Sequence, residues 1–124
     1  MAIMSPAQAD EVWMGLFNAG DIEGLLGLYE DDALFVPEPG GKPLVGPDAI
    51  REWIMAFPLQ DPQIDLRTHM ILERDTEALV YSDYTLSGTG EDGPAAIEGQ
   101  AVVLLRKQGD GTWLIAVDDP FAQR

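Results

Sequence analysis

A chain of 124 residues, 46% of them hydrophobic, is long enough for one packed domain and too apolar for disorder. Its 22 acidic residues against 7 Lys and Arg give a formal charge of −15; such a surface repels phosphate backbones and anionic lipid, so no nucleic acid or membrane partner is expected. The absence of cysteine excludes a disulfide frame and a thiolate zinc site and fits a reducing compartment.

The N-terminal MAIMSPAQADEV has neither a basic region nor an apolar stretch before its first acids, and no apolar run approaches a membrane span; a soluble, cytoplasmic protein is expected. The acidic surplus reads first as a solubility device, with focused attraction of cationic ligands as the alternative. Ser5-Pro6-Ala7-Gln8 marks a helix start: Ser5 at the cap, Pro6 at the first helical position, and Gln8 where a capping box places Glu or Gln. Val12, Trp13, Leu16 and Phe17 make one apolar stripe on this first helix, and Asn18-Ala19-Gly20 ends it. Asp21 caps a second helix whose buried face is Ile22, Leu25, Leu26 and Tyr29, weakened by Gly24 and Gly27 and closed by Asp31-Asp32. Ala33 to Val36 is a short strand, and the proline- and glycine-rich stretch Pro37 to Pro43 is loop. Gly46-Pro47-Asp48 opens a third helix with Ile50, Trp53, Ile54 and Phe57 on one face and Pro58 as its stop.

From Ile64 the pattern changes to strands. Ile64 to Glu73 and Ala78 to Ser87 are joined by a turn at Arg74-Asp75-Thr76, and Gly88 to Pro94 reads as a loop leading to Ile97. Ala101 to Leu105 and Trp113 to Val117 form a hairpin across Gly109-Asp110-Gly111, whose glycines supply positive φ. Ala101, Val103 and Leu105 point one way and Val102 and Leu104 the other, so both faces of the ribbon need cover. Three helices followed by long antiparallel strands predict an α+β fold, one domain over residues 1–124, with helices packed on one face of a curved sheet.

Phe17-Asn18-Ala19-Gly20-Asp21, Tyr29 with Asp31-Asp32-Ala33, Val45-Gly46-Pro47-Asp48-Ala49-Ile50-Arg51, and Gly109-Asp110-Gly111-Thr112-Trp113 resemble the nuclear transport factor 2-like superfamily, in its SnoaL-like and ketosteroid isomerase-like branch. The resemblance covers nearly the whole chain. It implies a cone-shaped curved antiparallel sheet wrapped around the three N-terminal helices, with a deep pocket between its concave face and the first and third helices. That fold carries isomerases, cyclases, dehydratases and association domains, so the likeness speaks to architecture more than to activity. Carried over residue by residue, the isomerase site is largely missing: its helix-one tyrosine falls at Trp13, its base near Pro37 with Glu38 adjacent, and its protonated acid near Val103.

Matching the last strand to the family puts Ala116, Asp118 and Pro120 on the concave side and Val117 and Asp119 on the other. Asp118 is then the candidate catalytic group, in a pocket lined by Trp13, Trp53, Met55, Met70, Val80, Tyr84 and Leu86; poor solvation there raises a carboxyl pKa and suits it to proton transfer or to holding a polar ligand group. Tyr84 and Ser82 share the concave face with Val80 and Leu86 and offer hydroxyls to steady charge on oxygen. His69 falls on the outer face with Arg67 and Ile71 unless a one-residue bulge reverses the facing. Asp31-Asp32 and Asp118-Asp119 lack the spacing of a cation loop, and neither a metal nor a cofactor is expected. Val102, Leu104, Ile115 and Val117, with Leu79 and Tyr81, form an outward apolar set that a homodimer through the convex sheet face would cover.

Two functional readings follow. In one, a cofactor-independent isomerase, cyclase or dehydratase acts on a small, largely apolar carbonyl-containing or aromatic molecule, with Asp118 moving a proton and Tyr84 or Ser82 stabilising oxygen charge. In the other, the pocket binds a ligand without chemistry, or the domain is a dimeric association module.

Overall fold

Pro6 begins a single 3-10 turn, Pro6–Gln8, and α1 follows over Ala9–Asn18 in the computed structural model, which describes residues 1–122. Ser5 makes no side-chain cap bond, so the expected capping box does not form. The 3-10 turn moves the α-helical start to Ala9, where Asp10 and Glu11 meet the positive end of the dipole. At the other end, the Asn18 amide donates from Nδ2 to the Ile64 carbonyl (2.9 Å) and accepts at Oδ1 from the Ile64 N–H (2.7 Å). α2 is short, Ile22–Leu26, capped as expected by Asp21 Oδ1 accepting from the Gly24 N–H at 2.9 Å.

The helical stripe read through Tyr29 stops early. Gly27 is the C-cap, and Tyr29 begins strand β1, Tyr29–Phe35. A five-residue helix containing Gly24 has little intrinsic stability, and Tyr29 instead lies beside Ile115 in the sheet. Asp31 and Asp32 are therefore exposed strand residues, not a helix end. β2, Leu44–Val45, pairs antiparallel with β1, and α3 spans Pro47–Met55 with proline in its first turn. Gly46 makes that junction possible: its φ is +87°, and a Cβ there would lie 3.0 Å from the Asp31 carbonyl oxygen.

Four strands complete the sheet: β3 Gln60–Glu73, β4 Glu77–Gly90, β5 Gly93–Lys107 and β6 Trp113–Asp119. The order is β2-β1-β6-β5-β4-β3, antiparallel throughout except for the parallel β1–β6 pair. Gly88 to Pro94 is not a loop. β4 and β5 stay paired to Gly90 opposite Gly93, and only Glu91-Asp92 turn. In the β5–β6 hairpin Gly111 has positive φ and Gly109 does not, while Asp110 Oδ1 accepts from the Thr112 N–H and hydroxyl. The result is an α+β fold, three helices against a curved, unclosed six-stranded sheet.

Two register shifts decide which side chains face the helices. On β3, Thr68 pairs with Ser82 but Met70 pairs with Tyr81, so a bulge at His69 moves Met70 to the outer face and Ile71 to the inner one. On β6, Leu105 pairs with Ile115 but Leu104 with Val117; Ala116 is the additional residue, and Ile115 belongs to the buried core instead of the outward set. The side chains of Ile3, Leu25, Leu28, Ile50 and Leu105 are fully buried in that core.

Asn18 carries the tie between α1 and β3, because both of its amide groups satisfy the same backbone unit. Asn18→Ala leaves the Ile64 N–H and C=O part-buried without those partners and should lower the unfolding free energy by about 2 kcal/mol in urea denaturation. A loss below about 0.5 kcal/mol would contradict this account of how the helix is held.

Candidate functional site

Between the helices and the concave sheet face lies a cavity of about 520 Å³. Its walls are mainly aromatic and aliphatic. α1 contributes Trp13 and Phe17, stacked at 5.0 Å with 12° between their planes. From the other side, Trp53 of α3 packs against Phe35 (4.9 Å) and Phe57 (5.1 Å) in tilted geometry. The sheet supplies a floor by alternation: Val80, Ser82 and Tyr84 of β4 are buried and line the cavity, and Leu86 continues the row. Ala101 and Val103 of β5 and Ile115 of β6 complete that surface.

Asp118 stands on this wall, 6% exposed. Its backbone is fixed by the parallel pairing of β6 with β1, where it lies beside Phe35 and its carbonyl accepts from the Val36 N–H at 3.0 Å. Its carboxylate is held by a directed chain: the Trp13 indole N–H donates to the Tyr29 hydroxyl (3.0 Å), which donates to Asp118 Oδ2 (2.6 Å). Burial pushes the Asp118 carboxyl up from its ordinary 3.8 to about 6; the Tyr29 hydrogen bond opposes that rise, and the charges of Asp119 and Asp10 add to it. The Tyr29 phenol is driven well above its ordinary range, first by burial and then by the Asp118 charge, so it stays protonated and donates. Asp118 Oδ1 accepts no hydrogen bond from any described residue.

A second carboxylate reaches the cavity from α1. Asp10 Oδ2 accepts from both the Ser82 hydroxyl on β4 and the Thr68 hydroxyl on β3. The Ser82 hydroxyl, expected to point at a ligand, is therefore spent on the helix start. Tyr84 lines the cavity too, but its hydroxyl donates to the Pro120 carbonyl at 2.7 Å; its pKa is raised by burial and then by Asp118 and Asp119.

Of the residues expected to line the pocket, Trp13, Trp53, Val80, Ser82, Tyr84, Leu86 and Asp118 do so, and Met55 does so from an exposed position. Met70 does not: the bulge at His69 turns it outward, where it is 41% exposed. His69 lies on that same outer face, its Nδ1 3.3 Å from Asp83 Oδ2 and its ring beside Tyr81. Glu38 is exposed and off the cavity wall. Sequence reasoning missed Tyr29 and Asp10. Tyr29 fitted a helical stripe at its i+3 and i+4 spacings, and the one sign against it was Gly27 as a helix stop. Asp10 sits in the first turn of α1, where an acid is accounted for by the helix dipole alone; Thr68 and Ser82, two hydroxyls on an inner face, are the hint that some acceptor has to meet them.

The Asp118 shift sets a pH dependence. The folded chain holds the proton up to about pH 6, whereas the unfolded chain releases it near 3.8. The native state thus binds more protons in that window, so the contribution of this group is complete below it and is lost as pH rises through the upper value. That gap corresponds to about 3 kcal/mol. The stability of Asp118→Asn relative to the native sequence should accordingly improve by about 2.4 kcal/mol between pH 4 and pH 8 in urea titrations; a pH-independent difference would contradict the buried placement of the carboxyl.

Among solved structures, a conserved protein from Planctomyces limnophilus DSM 3776 is similar to this chain with a TM-score of 0.78 and 20% identity, over 93% of this chain and 91% of its own. A ketosteroid isomerase-like protein from Erwinia carotovora atroseptica SCRI1043 superposes with a TM-score of 0.73 at 23% identity (91% and 89% covered). An NTF-2 like protein of unknown function from Shewanella oneidensis MR-1 does so with a TM-score of 0.72 at 17% identity (91% and 93%). At such identities the likeness speaks to fold alone. No curated protein matches the sequence. Residues 11–116 match the SnoaL-like domain, and with the helix order, the sheet topology and the cavity in agreement, the chain belongs to the SnoaL-like family of the nuclear transport factor 2-like superfamily.

Proposed function

We propose that the cavity binds a small, largely apolar, ring-bearing molecule, and that Asp118 is the group that hydrogen-bonds it and exchanges a proton with it. One observation carries this reading: a 6% exposed carboxyl, on the wall of a cavity of about 520 Å³, has one oxygen held by Tyr29 and the other without a partner among the described residues. With its titration near 6, both protonation states of Asp118 are accessible around neutrality, as a general acid or base requires. Tyr29 is a positioning residue, since it holds Oδ2 and leaves the chemistry to Oδ1.

The carbonyl-directed version of this chemistry draws less support. Polarising a carbonyl needs donors aimed at its oxygen, and the Ser82 and Tyr84 hydroxyls are committed to Asp10 and Pro120. Binding, with proton exchange at Asp118, fits the geometry better than oxyanion stabilisation. Titration with naphthol, read by tryptophan fluorescence, should quench saturably with a Kd below about 1 mM, and Asp118→Asn should weaken binding about tenfold or more. Naphthol that fails to saturate, or binds the variant equally well, sinks the proposal. Deuterium exchange at the α-carbon of indanone gives a separate reading of proton transfer; acceleration abolished in Asp118→Asn favours an enzyme, and its absence favours a binding module.

A second copy of the chain is the partner proposed for the convex face. Met70 and Leu72 (41% and 50% exposed) lie beside Leu79, Tyr81, Val102 and Leu104 there, a contiguous apolar set on one side of three neighbouring strands. Sedimentation equilibrium at micromolar concentration should give the mass of two chains, and Leu104→Glu should give one. A monomeric native chain would contradict this.

A further inference from the structure

The polar lining of the cavity is biased both in charge and in hydrogen-bonding sense. Asp10, Asp61 and Asp118 lie on its wall, and among the described residues no Lys, Arg or His does. The donors there are almost all spent. The Ser82 and Tyr84 hydroxyls, the Gln63 amide, one N–H of the Asn18 amide and the Trp13 indole N–H donate to protein acceptors, leaving the Trp53 indole N–H and the second Asn18 N–H as side-chain donors without a partner among the described residues. The acceptors are not spent. Among the described residues Asp118 Oδ1 receives nothing, and of the Asp10 carboxylate only Oδ2 is used.

An anionic ligand would enter a low-dielectric space facing carboxylates with two neutral N–H donors to meet it, and a buried charge without a counter-charge is strongly disfavoured. A neutral acceptor such as a carbonyl fares little better, because it leaves Asp118 Oδ1 unpaired. A group bearing N–H donors and positive charge satisfies Oδ1 directly, and the faces of Trp13 and Trp53 attract cations. The net charge of −15 acts in the same sense during approach.

Resting on the reading of this cavity as a small-molecule site, we propose that its ligand is a hydrophobic cation: an aromatic or alicyclic ammonium whose N–H bonds Asp118 Oδ1 while its ring lies between the Trp13–Phe17 stack and the Phe35–Trp53–Phe57 cluster. The acidic wall then acts as a filter. It admits amines, tolerates neutral rings and rejects carboxylates and phosphates of the same shape.

The test is a charge series on one ring. Isothermal titration calorimetry of the native protein at about pH 8, where Asp118 is ionised, compares naphthylethylamine, naphthylethanol and naphthylacetate. The amine should bind about tenfold tighter than the alcohol or better, and the acetate should give no binding heat. In Asp118→Asn the amine should fall to within about twofold of the alcohol, losing several-fold more affinity than the alcohol does. An alcohol that binds as tightly as the amine, or an acetate that binds at all, overturns the charge inference and leaves the small-molecule site standing. Failure of all three probes to bind overturns both. An amine preference that survives in Asp118→Asn overturns the assignment to this carboxylate; should that variant not fold, the native charge series decides by itself.

Discussion

The hydrogen-bond chain from Trp13 through Tyr29 to Asp118 joins α1, β1 and β6, and the site exists because those three elements converge on one carboxyl group. A carboxylate with so little exposure is costly unless something meets its charge. Here one hydrogen bond and a raised pKa share that cost. The parallel β1–β6 pairing is what makes the contact possible. It brings the start of β1, where Tyr29 lies beside Ile115, within a phenol's reach of a residue three positions along β6.

The same polar bonds explain why a cavity persists where apolar side chains might be expected to close up. α1 is held at both ends: Asp10 takes hydroxyls from Thr68 and Ser82, and Asn18 pairs with both the N–H and the C=O of Ile64. Those two anchors lie eight helical steps apart, about 12 Å. A helix pinned in that way over a bulged, curved sheet cannot settle onto it, and Trp13 and Phe17 stack on one another in place of filling the floor. Hydroxyls and amides that a reader of the sequence would assign to a ligand are in this sense structural, and their commitment is what leaves the wall rich in acceptors and poor in donors.

Bulges had the largest effect on which residues meet. At His69 a single additional residue exchanges Met70 for Ile71 on the inner face, and at Ala116 another lets Ile115 and Asp118 both face inward although they are three apart. Strict alternation cannot allow both. The inward facing of Asp118 was legible only through likeness to a family, and its partner Tyr29 not at all, since a tyrosine at helical spacing from Ile22, Leu25 and Leu26 looks like more of the same face.

From its residues alone the chain determined the helix starts at Asp21 and Pro47, the β5–β6 hairpin, the α+β order and the acidic balance of charge, because these depend on local stereochemistry and composition. Strand facing, the end of α2 and the pairing of Tyr29 with Asp118 were decided by tertiary structure. Each turns on a register between strands distant in the chain, and register is set by packing across the sheet, not by the residues on either side of the break.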